Sequence, residues 1–244
     1  MAVQRFRTTT GARGTTGESS DSGSQTPAPA TPRPARRSQA ERSAETKSRL
    51  IEATIDCLVE IGISGTTTVA VCKRAEVSHG SLLHHYGTRE RLLGAALDEV
   101  YARLQGSVIE SLERLPAGEA RVEGLIELMW GAFGAREFKA VIELWLAAAN
   151  KPDVGWAVWP EAQAFDHAIG PLAERLFPEA AHRVSDFPVY ISLIFQVLQG
   201  MGLANATWPA RSDPEANEEV ENMRVQVRSL LSRLVRDAFK SPTE

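Results

Sequence analysis

Residues 66–93 read Thr-Thr-Thr-Val-Ala-Val-Cys-Lys-Arg-Ala-Glu-Val-Ser-His-Gly-Ser-Leu-Leu-His-His-Tyr-Gly-Thr-Arg-Glu-Arg-Leu-Leu. The pattern is two short helices joined by a tight turn, with a third starting directly behind. Thr67 is a natural N-cap for a helix over about 68–75, because its hydroxyl can accept an orphan amide. Val71, Cys72 and Ala75 then form a narrow inward stripe. Glu76 and Val77 make the turn, and a Glu at 76 suggests that the turn need not adopt a positive φ. Ser78 caps a second helix over about 79–85. On it Leu82 and Tyr86 face the stripe, while His79, Ser81, Leu83 and His84 face out. Gly87 ends this helix and Thr88 caps the next. Ala75, Gly80 and Ser81 are small enough for a close crossing of the two helices. A helix so short and so polar is presented to a partner, and the major groove of DNA is the commonest one.

Upstream, Leu50, Ala53, Thr54, Cys57, Leu58 and Ile61 recur at helical spacing over 46–62, and Gly62 supplies a stop. Three helices of this size describe a helix-turn-helix unit.

At this point the string resembles the DNA-binding domain of the TetR/AcrR family of transcriptional regulators. The residues that carry the likeness are Ala75-Glu76-Val77-Ser78, Gly80-Ser81-Leu82, His85-Tyr86, Thr88-Arg89-Glu90 and Leu92-Leu93, within an ungapped match over about 46–93. Leu83 stands where that family commonly has Tyr, His79 where it has Lys, and Glu76 where it has Gly. The resemblance implies an all-α chain: an N-terminal three-helix helix-turn-helix DNA-binding domain, then a C-terminal helical ligand-binding and dimerisation domain. It also implies a homodimer that reads a pseudo-palindromic operator on double-stranded DNA, with repression relieved by ligand.

The charge is unevenly spread. The net charge of −4 divides into +4 over residues 1–40, zero over 41–93 and −8 over 94–244. Acidity therefore lies away from the motif, and DNA affinity must rest on a few placed contacts and on dimerisation. Residues 1–43 are rich in Arg, Ser, Thr and Pro, too poor in large apolar side chains to fold alone. They read as a solvated leader, or as an arm whose Arg33, Arg36 and Arg37 reach phosphates. The DNA-binding domain is placed at 44–93 and the helical domain at 94–240. No run of about 18 apolar residues is evident, so no membrane span and a cytoplasmic location are expected. Cys57 and Cys72 fall on inward faces and read as apolar filler.

The remainder shows only helical spacing: a long helix over 88–115, then 119–135, with Val122, Leu125, Ile126, Met129, Trp130 and Phe133 on one face, then 137–150. A segment over 154–177 is interrupted by Pro160 and Pro171, where breaks or kinks are expected. Helices over 188–206 and 217–239 flank a polar linker at 208–216. The first is apolar on more than one face, and a helix of that kind has to be covered on more than one side. Tyr190, Ile194, Leu198, Met201, Met223, Val227, Leu230 and Leu234 are the candidate dimer interface, with ordinary core packing as the alternative.

For a ligand, the middle helices offer Trp130, Phe133, Trp145, Trp156, Trp159 and Phe165 around a small apolar or aromatic molecule. Glu143, Asn150, His167 and Gln196 are the polar anchors. For DNA, Lys47, Thr68, Ser81 and Arg89 are expected on phosphates, and His79, Gly80, Leu83 and His84 toward base edges.

Catalysis finds no footing. There is no Gly-rich phosphate loop, no Gly-x-Ser-x-Gly and no His-Glu-x-x-His. His84 and His85 are adjacent, so on a helix they point about 100° apart. No metal and no cofactor are expected. The competing readings are a helical scaffold whose exposed Leu83 meets a protein, and a transcriptional activator.

Overall fold

The computed structural model describes residues 38–207 and 214–239, which form ten helices and no strand. They are α1 Gln39–Gly65, α2 Thr68–Ala75, α3 His79–Tyr86, α4 Arg89–Glu113, α5 Glu119–Gly134, α6 Arg136–Asn150, α7 Pro152–Leu176, α8 Pro178–Arg183, α9 Phe187–Thr207 and α10 Pro214–Phe239. The expectations for residues 1–37, including Arg33, Arg36 and Arg37, lie outside the described residues. So do those for 208–213, for the side chain of Val122 and for residue 240.

Caps position the first four helices. Thr67 accepts the amide of Ala70 at 3.1 Å, Ser78 that of Ser81 at 3.2 Å and Thr88 that of Arg91 at 3.2 Å. Helix α1 begins at Gln39, inside the segment expected to be tail. Its start is a capping box: Glu41 donates its amide to Ser38 Oγ, and its carboxylate takes the Ser38 amide at 2.7 Å.

The turn between α2 and α3 corrects one expectation. Glu76 adopts φ 53, ψ 43, in the left-handed region, and the Val77 amide reaches back to the Cys72 carbonyl at 3.1 Å. This six-to-one bond closes the end of α2 and requires a left-handed residue beneath it, whatever its side chain. Gly80 likewise plays no part in a close crossing, since a Cβ there would meet nothing within 4 Å.

Helices α1 and α4 each present two apolar faces. Leu50, Ala53, Cys57 and Leu92 join Val71, Cys72, Ala75 and Leu82 in a small core under α3. Ile55, Leu58, Leu93, Ala96 and Leu97 face the larger core of α5–α10 instead. Burial pushes both thiols above their ordinary range, for Cys57 against the pull of Arg74. They therefore stay protonated fillers.

In the larger core α4 packs on α7 so closely that a Cβ on Gly94 would lie 2.4 Å from the Ala157 carbonyl oxygen. Helix α5 is sandwiched between α9 and α10, the latter tied to it by Arg228–Glu127 at 3.2 Å and Arg236–Glu123 at 2.5 Å. Helix α7 runs unbroken through Pro160 and Pro171, against expectation. Both prolines are exposed, as are Trp156 and His167 one turn earlier, so the carbonyls left without an amide lie on the solvent side. Helix α9 carries an apolar stretch, though not an unbroken run of 18 apolar residues. Its window Phe187–Ala204 is long and apolar enough to cross a membrane by length and composition. Five of its apolar residues, Phe187, Ile191, Ile194, Phe195 and Leu198, are buried in the protein core.

The two cores meet at the end of α1. Gly62 leaves helical geometry at φ 66, ψ 178, a region open to glycine alone. Behind it the Ile63 amide donates to Glu143 on α6 at 2.7 Å. Arg89 on α4 donates to the carbonyls of Ile63 and Thr66, both at 2.6 Å.

Three consequences can be measured by urea unfolding. Gly62→Ala should lower stability by about 1–3 kcal/mol, with its Cβ only 3.1 Å from Glu143 Oε2. Gly80→Ala should raise stability by up to about 1 kcal/mol. Equal effects of the two would show that the break at Gly62 constrains nothing. Arg89→Ala should cost about 1–3 kcal/mol, because it strands two partly buried carbonyls.

Candidate nucleic-acid interface and effector cavity

Helix α3 is anchored by Leu82 alone, which is fully buried, with Tyr86 half-buried beside it. The Tyr86 hydroxyl donates to the Lys47 carbonyl at 3.4 Å and so ties α3 to α1. Every other α3 side chain is at least partly open. His79, Leu83 and His84 are exposed, Ser81 is half-buried, and Gly80 leaves a gap on the same face. The rings of His84 and His85 meet edge to face at 5.2 Å. Burial, then the nearby His84 and Lys47, push the His85 pKa below its ordinary value. His85 is therefore the inner member of the pair, biased toward its neutral form.

Around α3 the expected phosphate contacts separate. Lys47 is exposed on α1, and Thr68 is half-buried in the first turn of α2. Arg89 is turned the other way, into the end of α1, and this is a correction: its guanidinium is already occupied by two carbonyls. Arg91, two residues on and therefore on the opposite side of α4, is exposed, with Nη1 3.9 Å from where a Gly87 Cβ would stand. The helix phase relative to Thr88 was available in the sequence and marks Arg91 as the outward cation. Arg74, at the end of α2, is held by Glu60 and by Asp56 at 3.5 Å. Lys47, Arg49, Lys73 and Arg91 are exposed and make no ion pair among the described residues. Val69, in the first turn of α2, is 72% exposed. It was missed because its neighbours Val71 and Cys72 carry the helix's apolar stripe.

The expected ligand residues scatter. Trp156 is 83% exposed, and Trp159, His167 and Gln196 are exposed as well, so none of these encloses a cavity. Glu143 is spent on the Ile63 amide, and the Asn150 side chain on the Leu146 carbonyl at 2.7 Å. Trp130 lies under the Arg228 guanidinium, 5.8 Å from its ring centre, beside a recess that reaches Arg224 and Met201 and shares Phe133 and Leu198 with the interior space. Trp145 stands behind the cavity wall, donating its indole N–H to the Tyr101 hydroxyl at 3.1 Å.

Only Phe133 and Phe165 of that set line the interior space. It consists of an inner slot of about 70 Å³ and a wider chamber of about 290 Å³, which share Leu104, Phe165 and Phe195. Val108, Met129, Ile169, Leu172, Ile194 and Leu198 line the slot, and Gln105 is its one polar side chain. Tyr101 stacks on Phe165 with ring centres 4.0 Å apart, and burial keeps its hydroxyl protonated far beyond neutral pH. The stripe Tyr101–Leu104–Gln105–Val108 on α4 was readable from its spacing, yet tryptophan content drew the expectation elsewhere.

The expected dimer residues also divide. Ile194 and Leu198 are buried in the protomer's own core, a correction that follows from the packing of α9 on α5. Met201 and Val227 are half-buried. Tyr190, Met223, Leu230 and Leu234 are exposed, joined by Val189, Leu193, Leu203 and Val225, which the sequence reading did not single out.

The sequence model of the tetR family of bacterial regulatory proteins matches residues 50–96. The chain is 24% identical over 183 residues to an HTH-type transcriptional regulator of Mycobacterium tuberculosis, covering 75% of this chain and 92% of that one. It is 30% identical over 102 residues to the HTH-type transcriptional regulator BetI of Klebsiella pneumoniae, covering 41% of this chain and 52% of that one. Its fold is similar to the crystal structure of a TetR-family transcriptional regulator from Rhodococcus, with a TM-score of 0.62 at 18% identity, covering 81% of this chain and all of that one. A regulator, not an enzyme, is what these likenesses describe. The cap-turn-cap architecture around α3 agrees with the match of residues 50–96 to the tetR family model, and the fold is the one seen in the TetR-family regulators it resembles.

Proposed function

We propose that the chain acts in the cytoplasm as a homodimeric, ligand-responsive repressor on a pseudo-palindromic operator. The observation that carries this reading is α3, a helix of eight residues held by one buried leucine, with the remaining surface turned outward. In the proposed docking, His79, Leu83 and His84 meet base edges, Leu83 being suited to a thymine methyl. Lys47, Thr68, Ser81 and Arg91 hold phosphates and fix register. One such helix spans too few base pairs to be selective, so a second copy is required. The exposed apolar residues of α9 and α10 supply the surface for it. Leu193 on α9, at 57% exposed, and Met223, Leu230 and Leu234 on α10, at 61%, 47% and 53%, are apolar surface that a lone protomer leaves wet. The interior space under α4 is the effector site, and an occupant that displaces α4 changes the separation of the two α3 helices.

A footprint on DNA flanking the protein's own gene, with excess competitor, should show a protected patch with two-fold symmetry. A well-folded dimer that protects nothing there, and selects nothing from random sequence, would favour a scaffold role through Leu83. Lys47→Ala should weaken binding on all sequences and lower the salt slope by about one. Leu83→Ala should instead shift sequence preference at one position of each half-site. Joint replacement of Leu230 and Leu234 by Glu should yield a folded monomer by light scattering, with operator binding lost. Retention of a dimer would place the interface elsewhere.

A further inference from the structure

The chemistry of the interior space narrows what it can hold, an inference that rests on the reading of that space as the effector site. Its inner slot offers hydrocarbon only, apart from Gln105. A charged or strongly polar group pushed into it would lose its hydration without compensation. The polar end of any occupant must therefore lie in the wider chamber, whose wall includes Tyr101, Phe133, Phe138, Phe165 and Phe195.

Two charged side chains line the chamber and decide the sign there. Arg103 borders the chamber, but its guanidinium is saturated: Nε donates to Glu99 at 2.7 Å, and the two outer nitrogens grip the Glu52 carboxylate. Two carboxylates on one guanidinium leave no attraction for a third. Glu137 also borders the chamber, half-buried, and makes no ion pair or side-chain hydrogen bond among the described residues. Its place in the first turn of α6 suits the helix dipole, which a fully exposed carboxylate would serve as well. Asp166, exposed on α7 and outside the chamber lining, acts on the Tyr101 hydroxyl only weakly. The chamber thus pairs a net negative surround with aromatic faces, and such faces attract cations.

We propose that this cavity takes a hydrophobic cation, with an apolar tail in the slot and a positive head among the rings of the chamber beside the Glu137 carboxylate. A carboxylate or phosphate ester of the same shape is disfavoured, because Arg103 cannot turn to it without abandoning two partners.

The test is calorimetric titration of the full-length protein with three probes of one chain length, each kept below its micelle concentration: decyltrimethylammonium, 1-decanol and decyl sulfate. The ammonium probe should bind at least about tenfold tighter than the sulfate. Glu137→Gln should erase most of that preference while leaving the decanol affinity unchanged. Sulfate binding as tight as ammonium, or a preference that survives Glu137→Gln, would overturn the proposal. Ile169→Trp, which fills the slot from a half-buried position, separates this from failure of the underlying reading. If it abolishes binding of decanol and sulfate while no cation preference exists, the cavity is the effector site and only the charge assignment falls. If all three probes bind as before, or none binds the parent, both readings fall together.

Discussion

The last turn of α1 cannot satisfy its own backbone, and the arrangement of the molecule follows from how that need is met. Once Gly62 departs from helical angles, the Ile63 amide and the carbonyls of Ile63 and Thr66 lose their in-helix partners in a partly buried place. Buried backbone groups in that state must be paired from elsewhere. Glu143 comes from α6 in the larger core and Arg89 from the start of α4, so a single defect in one helix stitches two cores together. Thr66, almost wholly buried, completes the closure by returning its hydroxyl to the Gly62 carbonyl at 2.7 Å. The geometry also explains why position 62 is glycine, since both the backbone angle and the Glu143 carboxylate oppose a side chain.

The same junction explains the division of labour along α1 and α4. A helix that lines one core can be rotated freely by small changes in that core; a helix that lines two cannot. Leu92 belongs to the small core and Leu93 to the large one, although they are neighbours in sequence. Ion pairs on the rim reinforce this setting: Arg136 with Asp56 at 2.8 Å, and Arg103 bridging Glu52 to Glu99. Surface pairs of this kind contribute little singly, so the orientation of α3 depends mainly on apolar packing and on the Gly62 junction.

Local signals were legible where the chain itself determines the outcome. Caps at Thr67, Ser78 and Thr88, the stop at Gly62 and the outward face of α3 all follow from bonds between near neighbours. The capping box at Ser38 and Glu41 was equally local, and was obscured by the low-complexity sequence running into it. Glu76 was misread because its angles are imposed by the Val77–Cys72 bond, not by its own preference. Arg89 was misread because composition marks a cation at a helix start, whereas phase decides whether it faces water. The cavity was least legible of all. A void is defined by what several helices fail to fill, and tryptophans such as Trp156 can sit wholly outside it.

Helix α4 connects the parts over a length of about 37 Å at 1.5 Å per residue. Its first turn carries Arg89, on the α1 junction, and Arg91, outward near α3; its middle carries Tyr101 and Leu104, on the cavity wall. Gly94 lies between them, pressed against the Ala157 carbonyl with no room to approach further. A contact of that kind works as a pivot: displacement on the cavity side cannot be absorbed there by compression, because packed interiors deform little. It must appear at the first turn, where Arg89 either keeps its two carbonyls or drags the end of α1 with it. In the function proposed above, occupancy of the space beside Tyr101 and the angle of α3 are two readings of one helix position, each biasing the other to the same extent.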